Sequence, residues 1–366
     1  MRPVSLLKIA VVAITYRTLN NIQPVLAKLI HDGARCEVIW APTSQRIESQ
    51  SPRDFGLHVG REFKDLKPSD ARQMQVVEGE CRAYLEEFQP DLVLSDDMTN
   101  WPNRIVYAVV QSLPNRPFHL AWQHGLHQPW YALRAAFDAD FFFCYGRMHQ
   151  WMMGEANLGR VLPAGLPKLD SLAQQKTVDE GYISWFAQPA PDVDKQIELL
   201  TGIHKATKMP VRIRPHPAAP HAFSEAASLT ESGLQIEDPA LDPVDTLSRC
   251  HGFISTHSSA ILEALLLGKS AVLFPSFGLT SFAGYPNIAS DFTANAYVSA
   301  IKQYMVRQSA TRGFLDDFIG GNRFDHTART TAALMLLADF RARGLSPADI
   351  QAIGSPYAHD LMKAIA

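Results

Sequence analysis

Short apolar runs alternate with longer segments whose apolar residues recur at helical spacing, and the alternation holds over the first 170 positions. Residues 7–15 are strand-like and mostly apolar, as in a strand buried on both faces. Residues 21–32 have helical spacing and stop at Gly33, and residues 36–40 are again strand-like. Polar residues 42–68 read as an excursion from the pattern. A helix over about 69–88, a strand at 92–95, a helix at 104–112 and strands at 118–122 and 141–145 continue it, and 161–170 reads as a link. The alternation then restarts: strand 182–186, helix 194–207, strand 211–214, helix 222–232, strand 252–255, helix 259–267 and strand 271–274. From about Thr293 the chain reads as helical.

Strands alternating with helices predict a parallel sheet covered on both faces, and the pattern is met twice. Two Rossmann-like halves in tandem, of the α/β class, are the simplest account, and a length of 366 residues fits two domains. The expected boundaries are 1–170 for the first domain, 171–345 for the second and 346–366 for a helical tail packing back on the first. With 46% apolar and 19% charged residues there is enough apolar surface for two cores. A formal net charge of -3 gives no global attraction to nucleic acid. Cysteines 36, 81, 144 and 250 form no C-x-x-C pair, so neither a zinc site nor a disulfide framework is expected. The N-terminal run, at about ten residues, is shorter than the roughly 18 a membrane span needs, and it reads as a strand rather than a signal peptide. A cytoplasmic protein is expected, one that would meet a lipid-linked substrate at the inner face of the membrane.

In open α/β sheets ligands bind beyond the carboxyl ends of the strands, so the residues after each strand carry the candidate chemistry. Arg214-Pro215-His216-Pro217 ends one strand with a cation and an imidazole pointed by two prolines. Ser255-Thr256-His257-Ser258-Ser259 ends another and opens a helix, whose first N–H groups and dipole favour an anion. Read separately, these are a strand-end histidine and a helix cap; read together, in one half of the chain, they are a phosphate clamp. Glu263, one turn into that helix, either reaches a ribose hydroxyl or faces solvent. In the first half, Ser95-Asp96-Asp97 places acids at a strand end, suited to a base or nucleophile or to a helix cap. Gln123-His124-Gly125 follows another strand: His124 can bind sugar or assist protonation, and Gly125 allows a tight turn or close ligand approach. Gly165 and Lys168 sit at the expected boundary, for phosphate contact or for hinge packing. Neither a Walker-type loop nor a G-x-G-x-x-G after the first strand is present, which removes the main support for kinase and dehydrogenase readings.

The segments around His216 and Ser258 resemble the donor lobe of bacterial GT-B transferases that use CMP-activated acidic sugars, marked by a His-Pro turn and a later Ser-Ser turn. The run from Thr256, with Phe282-Ala283-Gly284-Tyr285 after it, resembles capsule-type β-Kdo transferases. Gln123-His124-Gly125 and residues 165–170 are similar to motifs in that group, in CDP-glycerol polymerases and in epimerase-like GT-B proteins. Asp96-Asp97 resembles the Asp-Asp-Gly of bacterial sialyltransferases, with Met98 in place of glycine.

The resemblance implies a GT-B fold with two Rossmann-like domains facing a central cleft. It also implies a metal-independent transferase with no cofactor, moving Kdo or a related 2-keto sugar from CMP to a surface polysaccharide or glycolipid. Asp96, Asp97 and His124 would be catalytic. Arg214, His216, Pro217, Thr256, His257, Ser258, Ser259, Glu263, Lys168 and Gly165 would hold the donor, and Gln123, Gly125 and Tyr285 would line the acceptor side. The partners would be the nucleotide sugar and a glycan or glycolipid acceptor, with peripheral membrane contact through the latter. A CDP-glycerol-type transferase, a UDP-sugar 2-epimerase-like enzyme and a non-catalytic GT-B assembly protein are the alternatives.

Overall fold

A computed structural model describes residues 3–42, 51–63, 71–95, 101–123, 125, 139–154, 157–188, 192–216, 219, 221–223, 229, 232–238, 241–256, 258–274, 285, 288–306, 308–321, 324–352 and 354–366. The chain forms two units: Met1–Asp170 with Phe318–Ala366, and Ser171–Asp317.

The first unit is built on a seven-stranded parallel sheet. In chain order its elements are β1 (Lys8–Ala13), α1 (Tyr16–His31), β2 (Arg35–Trp40), β3 (His58–Glu62), α2 (Ala71–Phe88) and β4 (Leu92–Ser95). They continue with α3 (Trp101–Ser112), β5 (Phe118–Trp122), β6 (Phe141–Cys144), α4 (Arg147–Met152) and β7 (Val161–Pro163). The strand order is β3-β2-β1-β4-β5-β6-β7. Because side chains alternate along a strand, β1 feeds two cores. Ile9, Val11 and Ala13 meet Leu19, Ile22, Val25 and Leu26 of α1, whereas Ala10 and Val12 meet Val77, Cys81 and Leu85 of α2 and Val106 and Val109 of α3. Burial on both faces is why β1 is apolar from Ile9 to Ala13, and it bears out the strand reading of the N-terminal run.

Two segments of this sheet depart from the sequence reading. The polar excursion contains a 3-10 turn, Pro52–Phe55, and the edge strand β3, none of whose residues is fully buried. An edge strand covered on one side has no continuous apolar run to announce it. The expected link at 161–170 begins as β7, which pairs with β6.

The second unit carries a five-stranded parallel sheet. Its elements are β8 (Ile183–Phe186), α5 (Val193–Thr207), β9 (Val211–Arg214), β10 (Leu234–Ile236), α6 (Pro243–Arg249) and β11 (Gly252–Ser255), then α7 (Ala260–Leu266), β12 (Ser270–Leu273), α8 (Ala294–Val306) and α9 (Gln308–Ile319). The order is β10-β9-β8-β11-β12. Trp185, Ile213, Ile254, Val272 and Phe274 pack with Ile197, Leu200 and Ile203 of α5 and with Tyr297 and Ala300 of α8. Neither β10 nor α6 is anticipated by the pattern. Of the expected helix at 222–232, Ala222 and Phe223 lie in a turn and most of the rest falls outside the described residues. Helix α6 starts on its own signals: Asp242 accepts a hydrogen bond from Val244 N–H, and Pro243 occupies the first helical position.

After Asp317 the chain belongs to the first unit again, so the second unit ends well before residue 345. Helices α10 (His326–Ala342), α11 (Pro347–Gln351) and α12 (Pro356–Ile365) follow. Ala333, Leu334, Leu337, Ala338 and Phe340 of α10 share the core of β1 and α1, together with Ile350, Leu361 and Ile365. No described helix is long and apolar enough to cross a membrane.

Candidate functional site

In the second sheet β8 lies between β9 and β11, and all three run parallel. Phe186, the last residue of β8, is in register with Arg214 on one side and Ser255 on the other. His216 and Thr256–Ser259 therefore leave the same edge of one sheet, from strands roughly 10 Å apart across β8. The Ser255 hydroxyl donates to Phe186 C=O at 2.7 Å, and Ala187 N–H donates to Arg214 C=O at 3.0 Å, which locks the three strand ends together. The chain order reverses between β8 and β11, the switch point where open α/β sheets leave a crevice.

Each residue of the expected clamp has a distinct environment. His216 is half-buried, and its C=O accepts from Ala219 N–H at 2.8 Å, closing the turn after β9. Thr256 is buried, and Ser258 and Ser259 are half-buried. Ser258 Oγ accepts from Ala260 N–H at 3.2 Å and so caps α7, whereas the Ser259 side chain makes no capping bond. Glu263, in the first turn of α7, is buried rather than facing solvent. Pro217 and His257 lie outside the described residues.

Arg214 has protein partners within the second unit. Its guanidinium lies 3.5 Å from Glu237 Oε2, donates to Thr246 Oγ1 at 3.3 Å and to Leu241 C=O, and packs against the Phe186 ring. It ties β9 to the segment after β10 and to α6. Burial pushes the Glu237 carboxyl above its ordinary range, an effect opposed by hydrogen bonds from Thr246 and by the charge of Arg214.

Residues 165–170 also find their geometry within one unit. Gly165 has φ +91°, and a Cβ there would run into the His326 ring at the start of α10. Asp170 accepts from the N–H groups of His326 at 3.0 Å and Thr327 at 2.7 Å, so it caps α10 across a long stretch of sequence. Lys168 is half-buried on the 3-10 stretch Pro167–Gln174. Packing of the C-terminal helices accounts for Gly165 and Asp170.

In the first sheet the switch point falls between β1 and β4, where Val12 is in register with Ser95. Asp96 and Asp97 follow β4 at this point and lie outside the described residues, as does His124. Thr15, between β1 and α1, leaves the same edge and was not anticipated. Gln123 is fully buried: its Oε1 accepts from Tyr145 N–H at 2.8 Å, and its Nε2 donates to Gly125 C=O at 2.6 Å. Its amide thus bridges the Tyr145 and Gly125 backbones. Gly125 does not have a positive φ, and a Cβ there meets nothing within 4 Å among the described residues. Tyr285, in the second unit, donates to Asp317 Oδ2 at 2.7 Å and packs edge-on against Phe314. Burial, followed by that carboxylate, raises its phenol well above the ordinary range.

Sequence reasoning also passed over His119. It is the only ionisable side chain of β5, it is fully buried, and its Nε2 lies 2.9 Å from Ser95 Oγ. A histidine inside an otherwise apolar parallel strand was the available signal. Burial, and after it the charge of Arg116, pushes its pKa down to about 3, so the ring is neutral.

No family model matches the chain, and no curated protein matches it in sequence. Solved structures do resemble it. The UDP-GlcNAc 2-epimerase of Neisseria meningitidis, bound to UDP-GlcNAc, is 14% identical, with a TM-score of 0.66 over 90% of this chain and 100% of its own. The UDP-GlcNAc 2-epimerase of Methanocaldococcus jannaschii, in complex with UDP-GlcNAc and UDP, is 12% identical, with a TM-score of 0.67 over 90% and 99%. A glycosyltransferase of Rickettsia africae is 10% identical, with a TM-score of 0.62 over 90% and 98%. These likenesses correct the expected transfer of Kdo from CMP, because the resembling structures are mostly UDP-GlcNAc 2-epimerases, one of the alternatives above. At such identities the likeness establishes architecture: two parallel-sheet, Rossmann-like α/β units, the GT-B fold.

Proposed function

We propose that this chain is a nucleotide-sugar enzyme of the UDP-GlcNAc 2-epimerase type. The observation that supports it most is the alignment of the His216 turn with Thr256, Ser258 and Ser259 at one edge of one parallel sheet, flanking a switch point. His216 and the Ser259 hydroxyl are assigned to the diphosphate. Glu263 is assigned to orienting the same segment, and Lys168 is kept as a secondary phosphate contact.

Inversion at C2 requires that its proton leave from one face and return on the other. No carbonyl acidifies that proton, so a base must remove it as the C1–O bond to the diphosphate breaks, leaving a C1=C2 double bond and UDP. Return of the proton to the opposite face, with re-formation of the C1–O bond, gives the epimer. Donors around the diphosphate stabilise the charge that develops as it departs. Asp96 or Asp97 is assigned the proton at C2, and His124 the return proton. The reaction needs no acceptor and is assigned no cofactor.

The test is incubation of the purified protein with UDP-GlcNAc alone, followed by proton NMR of the sugar. The C2 epimer, or free UDP with the released sugar, is the expected product. Turnover only when a glycan acceptor is added would replace epimerisation with transfer. Neither turnover nor a thermal shift with UDP or UDP-GlcNAc would remove the reading altogether.

A further inference from the structure

Asn21, Trp122 and Thr331 expose only 4%, 4% and 8% of their surfaces, yet Asn21 Oδ1, Trp122 Nε1 and Thr331 Oγ1 have no hydrogen-bond partner among the described residues. Topology gathers them on one face of the first sheet, towards its carboxyl edge. Trp122, the last residue of β5, shares the core formed by β1, α1 and α10, and its ring stacks on Phe143 of β6 at 5.3 Å. Asn21 stands one turn before Val25 of that core. Side chains on a helix lean towards its N-terminus, so the amide is directed to the first turn of α1, where the chain has just left β1. Thr331 stands one turn before Leu334 of the same core, in the second turn of α10. That helix starts at Asp170, beyond β7, and its far end is held by Asp91 and the Arg116 C=O, which precede β4 and β5.

Buried polar atoms are rarely left unmatched, and a buried indole N–H usually has an acceptor. The side chains define what a partner must supply. Asn21 Oδ1 only accepts and Trp122 Nε1–H only donates, so together they call for one donor and one acceptor. The Thr331 hydroxyl does both and does not discriminate. None of the three groups is charged, so the complementary group is neutral. Helix α1 packs over β1, and β1 and β5 flank β4 roughly 10 Å apart, a span that two side chains bridge with one small group between them. A secondary amide has this pattern, with an N–H and a C=O on opposite sides, and an acetyl methyl suits the aromatic surface of Trp122 and Phe143.

We propose that Asn21 and Trp122 read the acetamido group of the sugar: Asn21 Oδ1 accepts from its N–H, and Trp122 Nε1–H donates to its C=O. They are the residues of the first unit that select a 2-acetamido sugar over a 2-hydroxy sugar. The inference rests on the reading of UDP-GlcNAc as the substrate. A hydroxyl in place of the acetamido group reaches one of the two partners and leaves the other buried and unmatched, which costs that ligand about tenfold or more in affinity.

The experiment is isothermal titration of UDP, UDP-GlcNAc and UDP-glucose into the wild type, Asn21→Ala and Trp122→Phe, the last of which keeps an aromatic ring and loses the N–H. The wild type is expected to bind UDP-GlcNAc at least about tenfold more tightly than UDP-glucose. Each variant is expected to lose about tenfold in affinity for UDP-GlcNAc and to hold UDP and UDP-glucose within about threefold, so that the preference collapses. Variants that keep the preference overturn the proposal and leave the three groups to buried water. Equal weakening of all three ligands also overturns it, because that marks a change of packing. If Trp122→Phe fails to fold, Asn21→Ala decides. Wild-type protein that binds none of the three ligands removes the nucleotide-sugar reading and this inference with it, whereas wild-type binding of UDP with no preference for UDP-GlcNAc over UDP-glucose overturns the inference alone.

Discussion

Arg214 Nη1 and Glu237 Oε2 lie 3.5 Å apart in a buried pair two positions before His216. Removing one partner strands the other away from water. Arg214→Met is expected to lower stability by about 3–5 kcal/mol, and a double Arg214→Met/Glu237→Leu variant to lose less than the single, because no lone charge remains. Urea denaturation checks both. A double variant less stable than Arg214→Met would show that the pair contributes more than mutual neutralisation.

The phosphate assignment separates residues that stand close in the sequence. His216→Ala and Ser259→Ala should each weaken UDP binding about tenfold with little change in stability, the effect of losing one charge-assisted hydrogen bond. Ser258→Ala should also cost about 1 kcal/mol of stability, since its Oγ caps α7 through Ala260 N–H. Isothermal titration of UDP with these variants tests the assignment, and unchanged affinity in both His216→Ala and Ser259→Ala would end it.

The neutral state of His119 sets part of the acid sensitivity of the first unit. Its pKa in the fold is about 3, depressed by burial below its unfolded value near 6.5. The unfolded chain therefore binds the proton first. The stabilising contribution is full above about pH 6.5 and is lost as pH falls towards about 3, at up to roughly 1.4 kcal/mol per pH unit for one proton. His119→Gln cannot titrate, so its stability should fall less steeply between about pH 6.5 and 4. Thermal or urea unfolding across that window provides the check, and parallel curves for the variant and the wild type would contradict it.

Glycines 165 and 125 should respond in opposite ways to alanine. Gly165→Ala places a Cβ against the His326 ring on a backbone with φ +91°, and a loss of about 2 kcal/mol or more is expected. Asp170→Ala removes the acceptor for His326 and Thr327 N–H and should cost about 1–2 kcal/mol at the same helix start. Gly125→Ala has open space among the described residues and should leave stability within about 0.5 kcal/mol, while lowering kcat/KM if substrate approaches that backbone closely. Melting temperatures and kinetics of the three variants settle the contrast.

Much of the fold was legible along the chain because strands buried on both faces carry their signal locally. Leu92–Ser95, Phe118–Trp122, Val211–Arg214 and Gly252–Ser255 were each read to the residue as β4, β5, β9 and β11. The turns after β9 and β11 were legible for the same reason, since proline, serine and a following helix start act over a few residues. Strand β3, exposed along one edge, and the three-residue β10 were missed because neither supplies a run long enough to read.

By itself, then, the sequence determined the two α/β repeats and the strand ends on which the candidate site residues sit. Only the tertiary structure decided what those residues do once the strands pair. Arg214 is claimed by Glu237 and Gln123 by the Tyr145 and Gly125 backbones, because a buried charge or amide must find partners, and these are supplied by strands and loops distant in the chain. The end of the second unit followed the same rule. Helix α10 is buried on most sides, so its own pattern names no partner face, and its membership in the first unit is set by packing against β1 and α1. The sheet edge that carries His216 and Ser259 became one place because parallel pairing through β8 brings two distant strand ends level.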